Sequence, residues 1–286
     1  MEHLAANGLV LLISGFEDGG ERGGLFRYDG NAVEQLDDVP TTGVTLVDST
    51  VARVVRGRPE ERGSTIVVHQ EGGPTTLKVE ELLDPHDIAW TGSSYAIASA
   101  GDNAILYVSP QGRLEDTWRA PGTGDAWHLN SLLLVDGHLC VSAFGRYERH
   151  REWADGDASQ VSGLVYDVVT GEDVLTGLSA PHHPRRVGPD WIVCNSGRNA
   201  VTVLDVATGR PMDELVLGGW TRGLAVLDRY LFVGESPGRD MEEGVTATVA
   251  VVDRMTMKVV DRFAVPAREI YDIVAAPAEL LPRIGF

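Results

Sequence analysis

The sequence is poor in several features that would have settled its chemistry at once. Only two of its 286 residues are cysteine, Cys140 and Cys194, each inside an apolar run ("HLCVSAF", "WIVCNSG"). Two such residues exclude a disulfide framework and a thiolate metal cluster, and predict buried free thiols. No stretch approaches the roughly 18 apolar residues that a membrane span needs. Basic residues are scarce: 24 Lys and Arg stand against 42 Asp and Glu, a formal charge of −18. That balance repels nucleic acid and anionic lipid, so the expected partner is a small-molecule substrate, with no nucleic acid and no membrane; oligomeric state is left open. The opening "MEHLAANGLVLLISGF" starts with Glu2 instead of a basic region, which argues against a signal peptide and predicts a cytoplasmic protein. Linear chemical motifs are missing too: there is no His-Glu-x-x-His, Cys-x-x-Cys, EF-hand or Gly-x-Ser-x-Gly pattern. The glycine-rich "GFEDGGERGG" precedes a strand and not a helix, so it reads as a hairpin loop and not as a phosphate cradle.

What the chain does have is short alternating runs of Val, Leu, Ile and Thr, punctuated by Gly, Asp, Asn and Pro from end to end. The class is all-β. No linker-like segment interrupts it, so residues 1–286 are expected to form a single domain. The segments "TTGVTLVD", "PHDIAWTG", "WHLNSLLLVDG", "PHHPRRVGPDW", "WTRGLAVLDRY" and "EIYDIVAAP" recur at intervals of 40 to 54 residues. Four-stranded propeller blades have about that period, roughly 40–50 residues. After the last segment enough chain remains for one inner strand, while "GLVLLISGF", "GGLFRYDG" and "AVEQLDDV" supply three strands at the start. The prediction is a six-bladed β-propeller closed by N-terminal strands joining a C-terminal inner strand, with five or seven blades as alternatives.

In such a ring, inner strands begin at one rim and second strands end there. Inner-strand starts would bring together His86, Asp87, His128, Asn130, His182, His183, Arg185, Arg222, Tyr271 and Asp272; second-strand ends would add Asp102, Asn103, Arg146, Asn195, Arg198 and Glu235. Imidazoles from successive blades suit a divalent metal ion (Zn, Mn, Fe or Ni), with His86, His128 and His182 as ligands. Arg185 and Arg222 are expected to hold an anionic group bidentately, with Asn130, Asn195 and His183 as further substrate contacts. A salt bridge to Asp272 or Glu235 is the plainer role for either arginine. Tyr271, Asp272 and Glu235 are the expected catalytic groups, and Asp87 is expected to orient His86. The polar insertion "REWADGDASQVSG" in the third blade is a candidate lid. The functional expectation is a metal-dependent enzyme for a small polar, anionic substrate, a lyase or isomerase before a hydrolase. The alternative is a non-catalytic propeller that binds a ligand or protein.

"WHLNSLLLVDG", "GLSAPHHPR", "NSGRN", "WTRGLAV" with "YLFVGES", and "EIYDIVAAP" resemble, in that order, the characteristic segments of a bacterial propeller family, domain of unknown function 4915, over roughly residues 80–276. The resemblance implies a propeller with rim positions at His86, Asp87, His128, Asn130, His182, Arg185, Asn195, Arg222 and Asp272. Family members tend to carry Ser at the position of His183, which makes His182 the shared residue. No substrate is implied.

Overall fold

A computed structural model describes residues 4, 7–16, 23–57, 63–157, 159–238 and 245–281. Among these residues, six four-stranded antiparallel sheets form a six-bladed β-propeller. The inner strands of blades 1 to 5 are Thr41–Val47, Pro85–Trp90, Leu129–Val135, Pro181–Val187 and Trp220–Leu227. Blade 6 takes its inner strand, Glu269–Pro277, from the end of the chain and its other three, Leu9–Phe16, Gly23–Tyr28 and Val33–Asp37, from the beginning. Leu9–Phe16 pairs antiparallel with both neighbours, so backbone hydrogen bonds between the two ends of the chain close the ring. "GFEDGGERGG" connects the first hairpin of that blade, but residues 17–22 lie outside the described residues.

Among the described residues the core is divided into six apolar clusters, one in each seam between neighbouring blades. Ala52, Val54 and Ile66 of blade 1 pack on Ile88, Tyr95 and Ile97 of blade 2, and Val10, Leu12 and Leu25 of blade 6 pack on Val44 and Val51 of blade 1. Each sheet is therefore apolar on both faces, which explains near-continuous runs such as "LVLLI" and "TVAVV". Cys140 and Cys194 sit in two of these seams as buried free thiols. The repeated Asp after a third strand closes the following turn. Asp167 accepts Val169 and Thr170 N–H, and Asp253 accepts Met255 and Thr256 N–H. No helix of the described residues is long and apolar enough to cross a membrane.

Candidate functional site

All six inner strands break register near their start. Two residues face one across the strand pair at Thr42 and Gly43, Asn130 and Ser131, His183 and Pro184, and Arg222 and Gly223. In the other two blades His86 and Tyr271 are the extra residues. A bulge bends its strand and re-aims the side chains beside it. Here it sorts consecutive residues: His86, Arg222 and Tyr271 line a cavity at the channel mouth, whereas Asp87, His183 and Asp272 are buried without lining it. The backbone is left-handed at Asp84 (φ 49°), His128 (φ 54°) and His183 (φ 45°). Each such non-glycine residue costs about 1–2 kcal/mol, a strain the surrounding ring must offset.

The mouth cavity has a volume of about 530 Å³. Two imidazoles meet in it edge to face, His86 and His128, with ring centres 4.9 Å apart. Each has a carboxylate behind it. Asp125 accepts from His128 Nδ1 at 2.9 and 3.0 Å, and Asp84 lies 3.4 Å from His86 Nε2. Because a carboxylate can only accept, the His128 proton is on Nδ1 and Nε2 is left as an acceptor. Burial pushes the His128 imidazole down to about 4, against the pull of Asp125, so the ring is neutral near pH 7. Burial acts to raise Asp84, but His86 and Arg56 hold its carboxyl well below the usual range.

Across the cavity Arg222 lies over the Tyr271 ring at 4.1 Å and 3.6 Å from Glu269. Arg222 is 6% exposed, yet its Nε and Nη1 make no hydrogen bond among the described residues. Buried donors left without a hydrogen bond are costly, so beside its ion pair with Glu269 this guanidinium keeps N–H groups free for an anionic ligand. Burial raises the Tyr271 phenol. Phe144, Trp153 and Trp220 complete an aromatic wall, and the Trp153 ring is tilted against His128 with ring centres 4.1 Å apart. Trp153 and Arg151, at the start of the predicted insertion, line the cavity, and Trp153 Nε1 donates to Asp125 O.

Below the cavity lies a second group. Asp87, His183 and Asp272 bring one ligand atom each to within 4.8 Å of one another. They come from alternate blades, 2, 4 and 6, while the intervening blades carry the small residues Gly43, Ser131 and Gly223. A Cβ on Gly43 would lie 2.5 Å from Asp87 Cα, and one on Gly223 would lie 2.9 Å from Ile273 Cγ1. Asp87 accepts Ile88 and Leu132 N–H, and Asp272 accepts Ile273 and Val44 N–H. Burial, then repulsion from Asp272, raises Asp87 well above the carboxylate range; Asp272 is lowered despite burial because His183 and Arg185 adjoin it. By distance this group could hold a metal ion. Its hydrogen bonds set the condition: Gly223 N–H donates to His183 Nδ1 at 3.1 Å, which puts the ring proton on Nε2, 3.2 Å from Asp272. Ligation through His183 would require that hydrogen bond to be given up.

The remaining predicted residues divide by position. His182 is buried against Phe144 and Trp220 and does not itself line the cavity; its Nδ1 faces Ser196 Oγ at 2.8 Å, and its Nε2 has no partner among the described residues. His86, His128 and His182 are thus neighbours, but among the described residues the one trio whose ligand atoms close to within 4.8 Å is the axial one. Asn130 is buried, with Nδ2 donating to His128 O. Arg185 reaches the opposite mouth of the channel, 3.7 Å from Asp272 on the way. The second-strand ends point away from the axis. Asn195 joins Ser179 N–H to Thr202, and Glu235 accepts from Gly218, Thr248 and Arg262. Asp102 pairs with Arg119, Asn103 bonds Ala120 and Pro121, Arg146 pairs with Asp173 and Arg198 with Glu214. The reason is geometric: the second strand is about 4.8 Å farther from the axis, and its end bends toward its outer neighbours. Asp84, Asp125 and Glu269, which sequence reasoning passed over, stand two or three residues before His86, His128 and Tyr271. An acid at that short offset was a readable signal; Trp153 and Trp220 lay in segments already singled out but were given no role, and nothing in the sequence pointed to Phe144.

A family model described as domain of unknown function (DUF4915) matches residues 74–284. No curated protein matches the chain in sequence. Among solved structures, the chain is similar to one in a nidogen/laminin complex (14% identity, TM-score 0.69, 94% of this chain and 99% of that one). It is similar as well to a proposed 6-phosphogluconolactonase from Bacteroides fragilis (11%, 0.58, 94% and 98%). A third is regucalcin, a calcium-binding protein from Agrobacterium tumefaciens (17%, 0.55, 82% and 77%). At these identities the likeness is one of fold.

Proposed function

The chain belongs to the family described as domain of unknown function (DUF4915), and from the geometry of its own cavity we propose an enzyme that moves a proton on a small anionic substrate. One observation carries the reading: a neutral imidazole, His128, whose proton is fixed on Nδ1 by Asp125, shares the mouth cavity with Arg222 N–H groups that make no hydrogen bond among the described residues. Arg222 holds the substrate's carboxylate or phosphate, and His128 Nε2 takes a proton from the carbon beside it. Tyr271, protonated under Arg222, returns a proton to the opposite side. The aromatic wall and Trp153 exclude water while charge develops. Return of the proton to carbon gives an isomerase. Where the neighbouring carbon bears a leaving group, the carbanion's electron pair expels it and Tyr271 protonates it instead, which gives a lyase. A non-catalytic binding propeller is the alternative.

Proton exchange tests this reading whatever the full reaction is, because it reports the first step alone. Small 2-hydroxy, 2-oxo and phosphorylated carboxylates are incubated with the protein in D2O and followed by proton NMR. The expected result is loss of one carbon-bound proton signal with wild type, no loss with His128→Gln, and weaker binding with Arg222→Met. Exchange that stops with EDTA and returns with Mn(II) would assign the step to a metal-dependent site instead. Binding without exchange would support the non-catalytic alternative.

A further inference from the structure

The opposite end of the channel holds a second cavity, of about 520 Å³, to which neither the family nor the proton transfer at the mouth assigns a role. Its walls are the ends of the inner strands of blades 4, 5 and 6, and it is lined by three arginines, Arg185, Arg186 and Arg254, with one acid, Asp228. That is a local reversal of charge in a chain whose formal charge is −18. Three guanidinium groups around one opening repel one another unless an anion or carbonyl dipoles sit between them.

The existing partners account for only part of their donor capacity. Arg185 donates from Nε to Leu224 O and from Nη1 to Pro184 O and stands 3.7 Å from the buried Asp272, which together fix its plane. Arg186 donates to Gly188 O and lies 6.0 Å over the Trp191 ring. Arg254 Nε is buried with no hydrogen-bond partner among the described residues. An arginine carries five N–H donors, so each has several left for a ligand. Between the arginines the lining is aliphatic: Val187, Leu224, Val226 and Ile273. A ligand that matches both halves has a carboxylate or phosphate head and an apolar body of a few carbons.

We propose that this lower cavity is a binding site for a small amphipathic anion, its head held by Arg186 and Arg254 beside the preset Arg185 and its aliphatic part on the inner-strand ends. The site is separate from the mouth cavity and does not depend on the reaction proposed there.

Isothermal titration of the full-length protein with hexanoate, hexyl phosphate and hexanol tests it. At least one of the two anions should bind one to one, hexanol should not, and the tighter anion identifies the preferred head. Arg254→Gln and Arg186→Gln should each weaken binding roughly tenfold or more, and Arg222→Met, at the other mouth, should leave it unchanged. Circular dichroism melts report whether each variant is folded, and either one alone suffices. Three results would overturn the site: no binding of either anion at about 10 mM, hexanol binding as well as hexanoate, or binding lost in Arg222→Met and kept in Arg254→Gln.

Discussion

His128 shows how one residue ties stability to chemistry. Its folded pKa is about 4 and its ordinary value is 6.5, so between those values the unfolded chain binds the proton and the folded chain does not. Stability is then complete above about pH 6.5 and falls as pH drops toward 4. The gap corresponds to something on the order of 3 kcal/mol. Burial depresses His182 and His183 as well, which adds to the loss in the same direction. Urea unfolding followed across pH 4 to 7 should show this decline, and His128→Gln should flatten its slope by nearly one proton. An unaltered slope in that variant would show that His128 is not held neutral by burial. At this scale the sequence was partly legible. The acid just ahead of each rim residue, as in "DPHD" and "DAWH", foreshadowed the pairs Asp84–His86 and Asp125–His128, whereas the split between His182 and His183 was not visible, because two adjacent letters gave no sign of facing different depths.

The inner strand with its bulge is the element that makes the site. The alternation of large polar residues in blades 2, 4 and 6 with Gly43, Ser131 and Gly223 in blades 1, 3 and 5 is a packing solution: six reaching side chains would overfill the axis, and three fit. Gly43→Ala tests it, since the added methyl would lie 2.5 Å from Asp87 Cα and 2.7 Å from its Oδ1. The expected cost is about 1–3 kcal/mol in chemical denaturation, typical of overpacking. A cost near zero would mean that the axis has room to spare. The blade period could be read from the sequence, because hydrophobic strands and Asp-bearing turns repeat locally. The bulges could not, since register is a property of two strands and the chain spells only one at a time.

In the whole molecule, stability resides in six seams and one closure. Every blade needs both neighbours to cover its faces, so an incomplete ring exposes two apolar faces at once. A chain truncated after Arg268 would lose the inner strand Glu269–Pro277, together with Ile270 and Ile273 from the seam with blade 5. It is expected to lose cooperative unfolding in calorimetry and to aggregate on size exclusion. A circular permutant that joins residue 281 to residue 7 and opens a turn elsewhere keeps all six seams and should melt cooperatively. If the truncated chain melted as sharply as the intact one, closure would not be what holds the ring.

By itself the sequence determined the class, the propeller period and the closing strand, because each rests on local alternation and on repeats along one dimension; the six sheets of the fold then removed the alternatives of five or seven blades. The sequence also determined which polar residues arrive near the axis. Only the tertiary structure decided their depth and direction: it set His86 and His128 beside Arg222 at one mouth, sank Asp87, His183 and Asp272 between them and the far end, sent Arg185 to the opposite opening, and turned Asn195 and Glu235 outward. A residue's distance from its neighbours in a closed ring depends on bulges, strand rank and the blade next door, none of which is written within the segment that carries it.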